Sequence, residues 1–170
     1  MTDFADLARS VIDDNSYMVL GTADESGHPW VSPVWFATVD RRHFHWVSGH
    51  ETRHSRNLEA RQEIAIVIYG PSGARGTAGA VYMSGTAKEL TGTELQEGID
   101  IFGRLSRTNA GRDWKLADVQ PPSQHRLYRA TAVEYYILVR DPDSDRGRGV
   151  DHREPVTLQR EDVGREPPSL

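Results

Sequence analysis

Between Tyr17 and Val47 three β-rich apolar runs follow one another with only tight polar turns between them, and this spacing limits the fold more than any other feature. Tyr17-Met18-Val19-Leu20-Gly21-Thr22-Ala23 reads as a buried strand, and Asp24-Glu25-Ser26-Gly27 as a turn in which Gly27 supplies a positive φ. A second strand runs from about Pro29 to Val39, and Asp40-Arg41-Arg42-His43 turns into a third from Phe44 to Val47. Neither turn has room for a crossover helix. The three runs must therefore pair as an antiparallel meander and not as a parallel βαβ unit.

The remaining elements extend this sheet. Phe4, Leu7, Ala8, Val11 and Ile12 fall at helical spacing behind Thr2-Asp3, so an amphipathic helix opens the chain. After Phe44-His45-Trp46-Val47 the strand breaks at Ser48-Gly49, and Thr52 is the expected N-cap of a short helix running toward Leu58 and Ala60. Ile64-Ala65-Ile66-Val67-Ile68-Tyr69 is a continuous apolar run, the pattern of a strand buried on both faces. A glycine-rich connection from Gly70 to Gly79 leads to a strand from Ala80 to Leu90. Thr91-Gly92-Thr93-Glu94 has capping-box spacing, with Leu95, Ile99, Phe102 and Leu105 on the inner face of the helix behind it. Residues 106–124 read as irregular, since Pro121-Pro122 bars a helix or central strand. His125 to Thr131 and Ala132 to Arg140 read as two strands, or as one with a bulge. The sum is a mainly β (α+β) domain over residues 1–140, with six antiparallel strands and three helices. Such a sheet hides its edges by curling into a small barrel. Residues 141–170 are polar and Pro- and Gly-rich, a tail expected to be mobile or to pack as an arm on a partner subunit.

Composition removes several function classes. The 170 residues can bury a core unaided, and the absence of cysteine excludes disulfides, thiolate zinc sites and thiol nucleophiles. A net charge of −5 argues against nucleic acid, which requires a basic face. No run has the length of a membrane span and no signal-peptide pattern opens the chain, so the expected location is the cytoplasm, without membrane partners.

The stretch from Phe44 to Asn57 carries the chemistry. A helix start with free N–H groups, beside Arg53 and Arg56, is a seat for a phosphate. His50-Glu51-Thr52-Arg53-His54 also matches the zinc protease string H-E-x-x-H, which needs both histidines on one face of one helix. Gly49 before His50 and the cap at Thr52 put His50 outside the helix, so this match is coincidental and no metal site is assigned. His43 and His45 alternate on a strand and read as a solvated or hydrogen-bonded pair on the barrel exterior. Gly70-Pro71-Ser72-Gly73-Ala74-Arg75-Gly76 lacks the lysine ending of a phosphate loop and reads as a flexible hairpin. Trp35 and Trp46 flank the phosphate candidate and are the tryptophans best placed to stack on a planar cofactor. No nucleophile elbow is present and no catalytic side chain can be assigned. A phosphate seat and aromatic strands without catalytic side chains fit a protein whose cofactor does the chemistry.

Several motifs taken together resemble the pyridoxamine 5'-phosphate oxidase-like superfamily, the FMN-binding split β-barrel. They are Gly21-Thr22, Gly27-His28-Pro29, Val31-Ser32-Pro33-Val34-Trp35-Phe36, Trp46-Val47-Ser48, Thr52-Arg53-His54-Ser55-Arg56-Asn57-Leu58 and Ser84-Gly85-Thr86-Ala87, spread between Phe4 and Arg140. The resemblance implies a homodimer with cofactors in grooves at the subunit interface. It implies that backbone and side chains of Ser32, Val34 and Trp35 line the isoalloxazine, and that Val47 and Ser48 touch the ring and ribityl chain. Thr52, Arg53 and His54 would bind the phosphate, and Tyr136 would lie near the cofactor.

The departures from the oxidase matter. Ser32 and Ala37 stand where the oxidase strand has Arg and Lys, and His54 stands for the usual phosphate-binding lysine. Pyridoxamine phosphate oxidation is therefore not expected. The strand and helix motifs are more similar to the flavin/deazaflavin oxidoreductase branch, whose members use FMN or the deazaflavin coenzyme F-420 on small organic substrates. The expected function is hydride transfer between such a cofactor and a small molecule. The alternative is a flavin- or haem-binding store, carrier or sensor without turnover, with His50 or His54 as the haem ligand. A zinc hydrolase through these histidines ranks last.

Overall fold

The computed structural model describes residues 3–70, 79–110, 112–139 and 152–158. Helix α1 (Phe4–Asp13) starts at Asp3, whose carboxylate accepts the Ala5 N–H at 2.9 Å, and buries Ala8, Val11 and Ile12. The strands that follow are β1 (Tyr17–Ala23), β2 (Pro29–Trp35) and β3 (His43–Gly49), then helix α2 (Arg53–Ala60), β4 (Glu63–Tyr69) and β5 (Ala80–Glu89). Helix α3 (Gly92–Ala110) and a 3-10 turn (Leu116–Val119) lead to β6 (His125–Val139) and β7 (His152–Pro155). All pairings are antiparallel and the sheet order is β2-β1-β4-β5-β6-β3, with β7 also on β6. The meander turn uses Gly27 at φ 87°, as its composition predicts.

Among the described residues the sheet has seven strands, one more than the six expected, because β7 adds to β6, and it is not closed into a continuous barrel. Its two ends, β2 and β3, meet at a single bridge in which Ala37 and His45 exchange N–H···O bonds of 2.9 and 2.8 Å. The second strand therefore ends at Trp35, short of the expected Val39. β6 is one strand, and its register against β5 skips Val133 between the pairs Ser84–Glu134 and Gly85–Ala132. This bulge brings the backbones together at Gly85, where a Cβ would lie 2.1 Å from the Thr131 carbonyl oxygen.

α3 continues through residues expected to be irregular. Its inner face runs from Phe102 to Ser106, and Ser106 is buried with its hydroxyl on the Gly103 and Arg112 carbonyls, so a polar residue occupies the position that the apolar pattern would mark. Glu94 does not close a capping box. Its carboxylate takes Lys88 and Arg129, each at 2.7 Å. α3 covers the outer face of β3, so His45 is buried and not a solvated partner of His43, which instead bonds Asp40 at 2.6 Å. The interior packs Leu20, Phe44, Trp46, Ile66, Ile68 and Ile137, while a second core under α3 holds Leu90, Ile99, Phe102 and Leu127. Residues 152–155 return to the sheet as β7. The glycine-rich connection at 71–78 and tail residues 140–151 and 159–170 lie outside the described residues.

Candidate functional site at the junction of β2, β3 and α2

α2 sits across the open mouth between β2 and β3, and the face it buries is polar: His54, Ser55 and Asn57, with Leu58 behind them. Buried polar groups need partners. Asn57 Nδ2 donates to Thr22 Oγ1 at 2.9 Å, fixing the helix to β1. Ser55 Oγ lies 2.9 Å from Thr52 Oγ1. His54 is 8% exposed and has both ring nitrogens engaged. Its Nδ1 is 3.2 Å from Ser32 Oγ, and its Nε2 is 2.8 Å from Ser48 Oγ and 3.2 Å from Thr52 Oγ1. The fold thus gathers three other predicted residues, Ser32, Ser48 and Thr52, around the imidazole of His54.

One expectation changes here, and one open point narrows. Thr52 is the N-cap residue of α2, but its hydroxyl does not cap it; it donates to the Gly49 carbonyl at 2.9 Å. The first N–H groups of α2 thus lack a side-chain acceptor from Thr52 and carry the positive end of the helix dipole. His54 is not a cation in place of lysine. Burial holds its pKa below the ordinary 6.5, so the ring is neutral at neutral pH.

The cation of the site is Arg53. Its guanidinium lies 4.5 Å from the centroid of the Trp30 ring, and no carboxylate among the described residues pairs with it. Arg56 is instead tied to Glu51 by a short ion pair. Trp30 also donates from Nε1 to Ser32 Oγ at 3.0 Å, which joins the stacked arginine to the imidazole cluster. The tryptophan that reaches the site is thus Trp30, not Trp35 or Trp46. Its period-two relation to Ser32 on one strand was the signal available. Trp46 is fully buried and stacked on Tyr128 with centroids 5.5 Å apart, and Trp35 meets Phe102 edge-on at 5.2 Å beneath α3.

The other predicted residues stand apart from the cluster. The Val34 side chain is sealed in the interior, so there the backbone is what a ligand could reach, while the partly buried Val47 packs against the second core under α3. Tyr136 is on the outer sheet face opposite Tyr82, where both line a cavity of about 340 Å³ with Ala65, Val67, Ser84 and Arg153. The Arg153 guanidinium covers the Tyr82 ring at 4.1 Å. His50 precedes α2 and bonds Gln124 Oε1 at 2.8 Å, and no group of three or more metal-ligating residues forms among the described residues.

The sequence matches the pyridoxamine 5'-phosphate oxidase family over residues 4–148, and the chain belongs to that family. No curated protein matches the sequence. A haem-binding protein from Mycobacterium smegmatis is similar in structure with a TM-score of 0.66 at 17% identity, covering 91% of this chain and 59% of that one. The chain thus spans well under two thirds of that protein. The haem storage protein HutZ from Vibrio cholerae aligns with a TM-score of 0.57 at 20% identity, over 74% of this chain and 87% of its own. A Clostridium acetobutylicum protein of the pyridoxinephosphate oxidase family, related to general stress protein 26, gives a TM-score of 0.59 at 13% identity, covering 90% and 94%. At these identities the likeness is one of fold.

Proposed function

We propose that this chain binds a phosphorylated flavin-type cofactor, FMN or the deazaflavin F-420, at the β2–β3–α2 junction and acts as an oxidoreductase on a small organic substrate. The observation that carries the reading is Arg53: a guanidinium without a carboxylate partner among the described residues, stacked on Trp30 beside a helix start that its own threonine leaves uncapped. An anion is the group that completes such a site. The bound cofactor would supply hydride transfer, while Ser48 and the β2 backbone would orient its ring. The reading includes a cytoplasmic homodimer. Val31 is 65% and Tyr69 64% exposed on the outer face that β1, β2 and β4 share, an apolar surface suited to a second copy.

A second reading, a haem store or carrier, draws on the names of the M. smegmatis and V. cholerae neighbours. His54 is buried, whereas His50 is partly exposed and held only by the surface groups Gln124 and Glu51, so the ligand in that case is His50. Parallel titrations of the purified protein with FMN, F-420 and haemin separate the two. Saturable quenching of flavin or deazaflavin fluorescence supports the oxidoreductase reading. A Soret shift on haemin addition, with neither flavin bound, replaces it with the haem reading.

A further inference from the structure

The hydrogen bonds around His54 have a forced direction, and that direction starts at Trp30. An indole N–H can only donate, so Ser32 Oγ accepts from Trp30 Nε1 at 3.0 Å. Ser32 is buried, and the remaining partner of its hydroxyl is His54 Nδ1 at 3.2 Å. Were Nδ1 protonated, Ser32 Oγ would receive two donors and its own hydrogen would be buried without an acceptor, which is costly. Nδ1 is therefore the acceptor and the ring proton is on Nε2. From Nε2 the shortest contact is Ser48 Oγ at 2.8 Å, which must accept. Thr52 spends its hydrogen on the Gly49 carbonyl at 2.9 Å. The Ser48 hydrogen alone has no acceptor among the described residues, and Ser48 is partly exposed.

We infer that Trp30, Ser32 and His54 form a one-way hydrogen-bond chain that presets Ser48 as a hydrogen-bond donor, so that the site selects a ligand with an acceptor oxygen at that point, a phosphate ester or a ring carbonyl. His54 is a positioning residue. It touches no ligand itself and works as an uncharged relay that turns the fixed polarity of an indole into a fixed polarity at the ligand. The ligand class rests on the cofactor reading above; the chain of donors does not.

The test has two arms so that the two can fail separately. Long-range 15N–1H NMR of the full-length apoprotein, labelled at histidine, reads the His54 tautomer without any ligand. A neutral ring protonated on Nε2 is expected, and a ring protonated on Nδ1, or on both nitrogens at neutral pH, overturns the inference. Trp30→Phe should convert the single tautomer to a mixture, and an unchanged tautomer in that variant also overturns it. The second arm titrates FMN into variants. Ser48→Ala should weaken binding about tenfold, the loss of one net hydrogen bond. His54→Gln, whose amide N–H replaces Nε2–H toward Ser48, should retain most of the affinity, while His54→Leu should lose as much as Ser48→Ala. Equal losses in His54→Gln and His54→Leu sink the relay. If the wild type binds neither FMN nor F-420 but shows the Nε2 tautomer, the relay stands and the cofactor reading falls.

Discussion

The Arg53 guanidinium rests 4.5 Å from the centroid of the Trp30 ring, and the same indole donates its N–H to Ser32. One side chain thereby orients both the cation at the mouth of the site and the neutral hydrogen bonds beneath it. The arrangement separates charge from polarity: Arg53 offers the positive charge at the surface, and the buried ring of His54 offers none.

Arg53→Ala should weaken FMN binding by about 1.5–3 kcal/mol, or roughly ten- to a hundredfold, through loss of a charge-assisted bond to phosphate. Fluorescence titration measures it. Arg56→Ala, whose guanidinium is already held by Glu51, is the control and should change affinity much less.

Stability should fall on acidification through the histidines that the fold keeps neutral. Burial, reinforced by Arg129 and His43 nearby, holds the His45 pKa down to about 4, against 6.5 in the unfolded chain. The unfolded state takes up the proton first, so stability is full above about pH 6.5 and is lost as pH drops toward 4, by roughly 3 kcal/mol for this one residue. His54 acts in the same direction from the same upper limit. Thermal unfolding across this range should show a smaller decline in Tm for His45→Gln than for the wild type. Parallel curves for the two proteins would refute the assignment.

Gly85→Ala should destabilise the fold severely. The new Cβ would sit 2.1 Å from the Thr131 carbonyl oxygen at the β5–β6 bulge, a backbone atom that cannot rotate away. Overpacking of this kind costs about 1–3 kcal/mol or more. Urea unfolding would register it as a lower midpoint, and an unchanged midpoint would mean that the bulge can relax at no cost.

Val31→Glu tests the homodimer. Val31 is 65% exposed, so a charge there leaves the isolated fold intact. If the outer face of β1, β2 and β4 buries against a second copy, the variant should elute as a monomer in light-scattering chromatography while the wild type elutes as a dimer.

Much of the site was legible in the chain because it is local. Thr52, Arg53 and His54 are consecutive, the strand-to-helix break at Ser48-Gly49 announces where they stand, and Ser32 alternates with buried Val34 on its strand. The electrostatic state of those residues was not legible. The residue type leaves the charge of a histidine open at neutral pH, and the packing of α2 over the mouth of the sheet, which takes the ring out of water, shifts it toward the neutral form.

By itself the sequence determined the antiparallel meander, the strand and helix order as far as β6, and the stretch that holds the site, because turn length and apolar period act over a few residues; β7 was not legible in the polar tail. The tertiary structure decided what depends on contacts across the chain: that the sheet stays open but for Ala37 and His45, that Tyr136 faces a separate cavity, and that Trp30 enters the site. It also decided that His54 is neutral, since desolvation and hydrogen-bond direction belong to an environment built from β2, β3 and α2 together, not to any residue read alone.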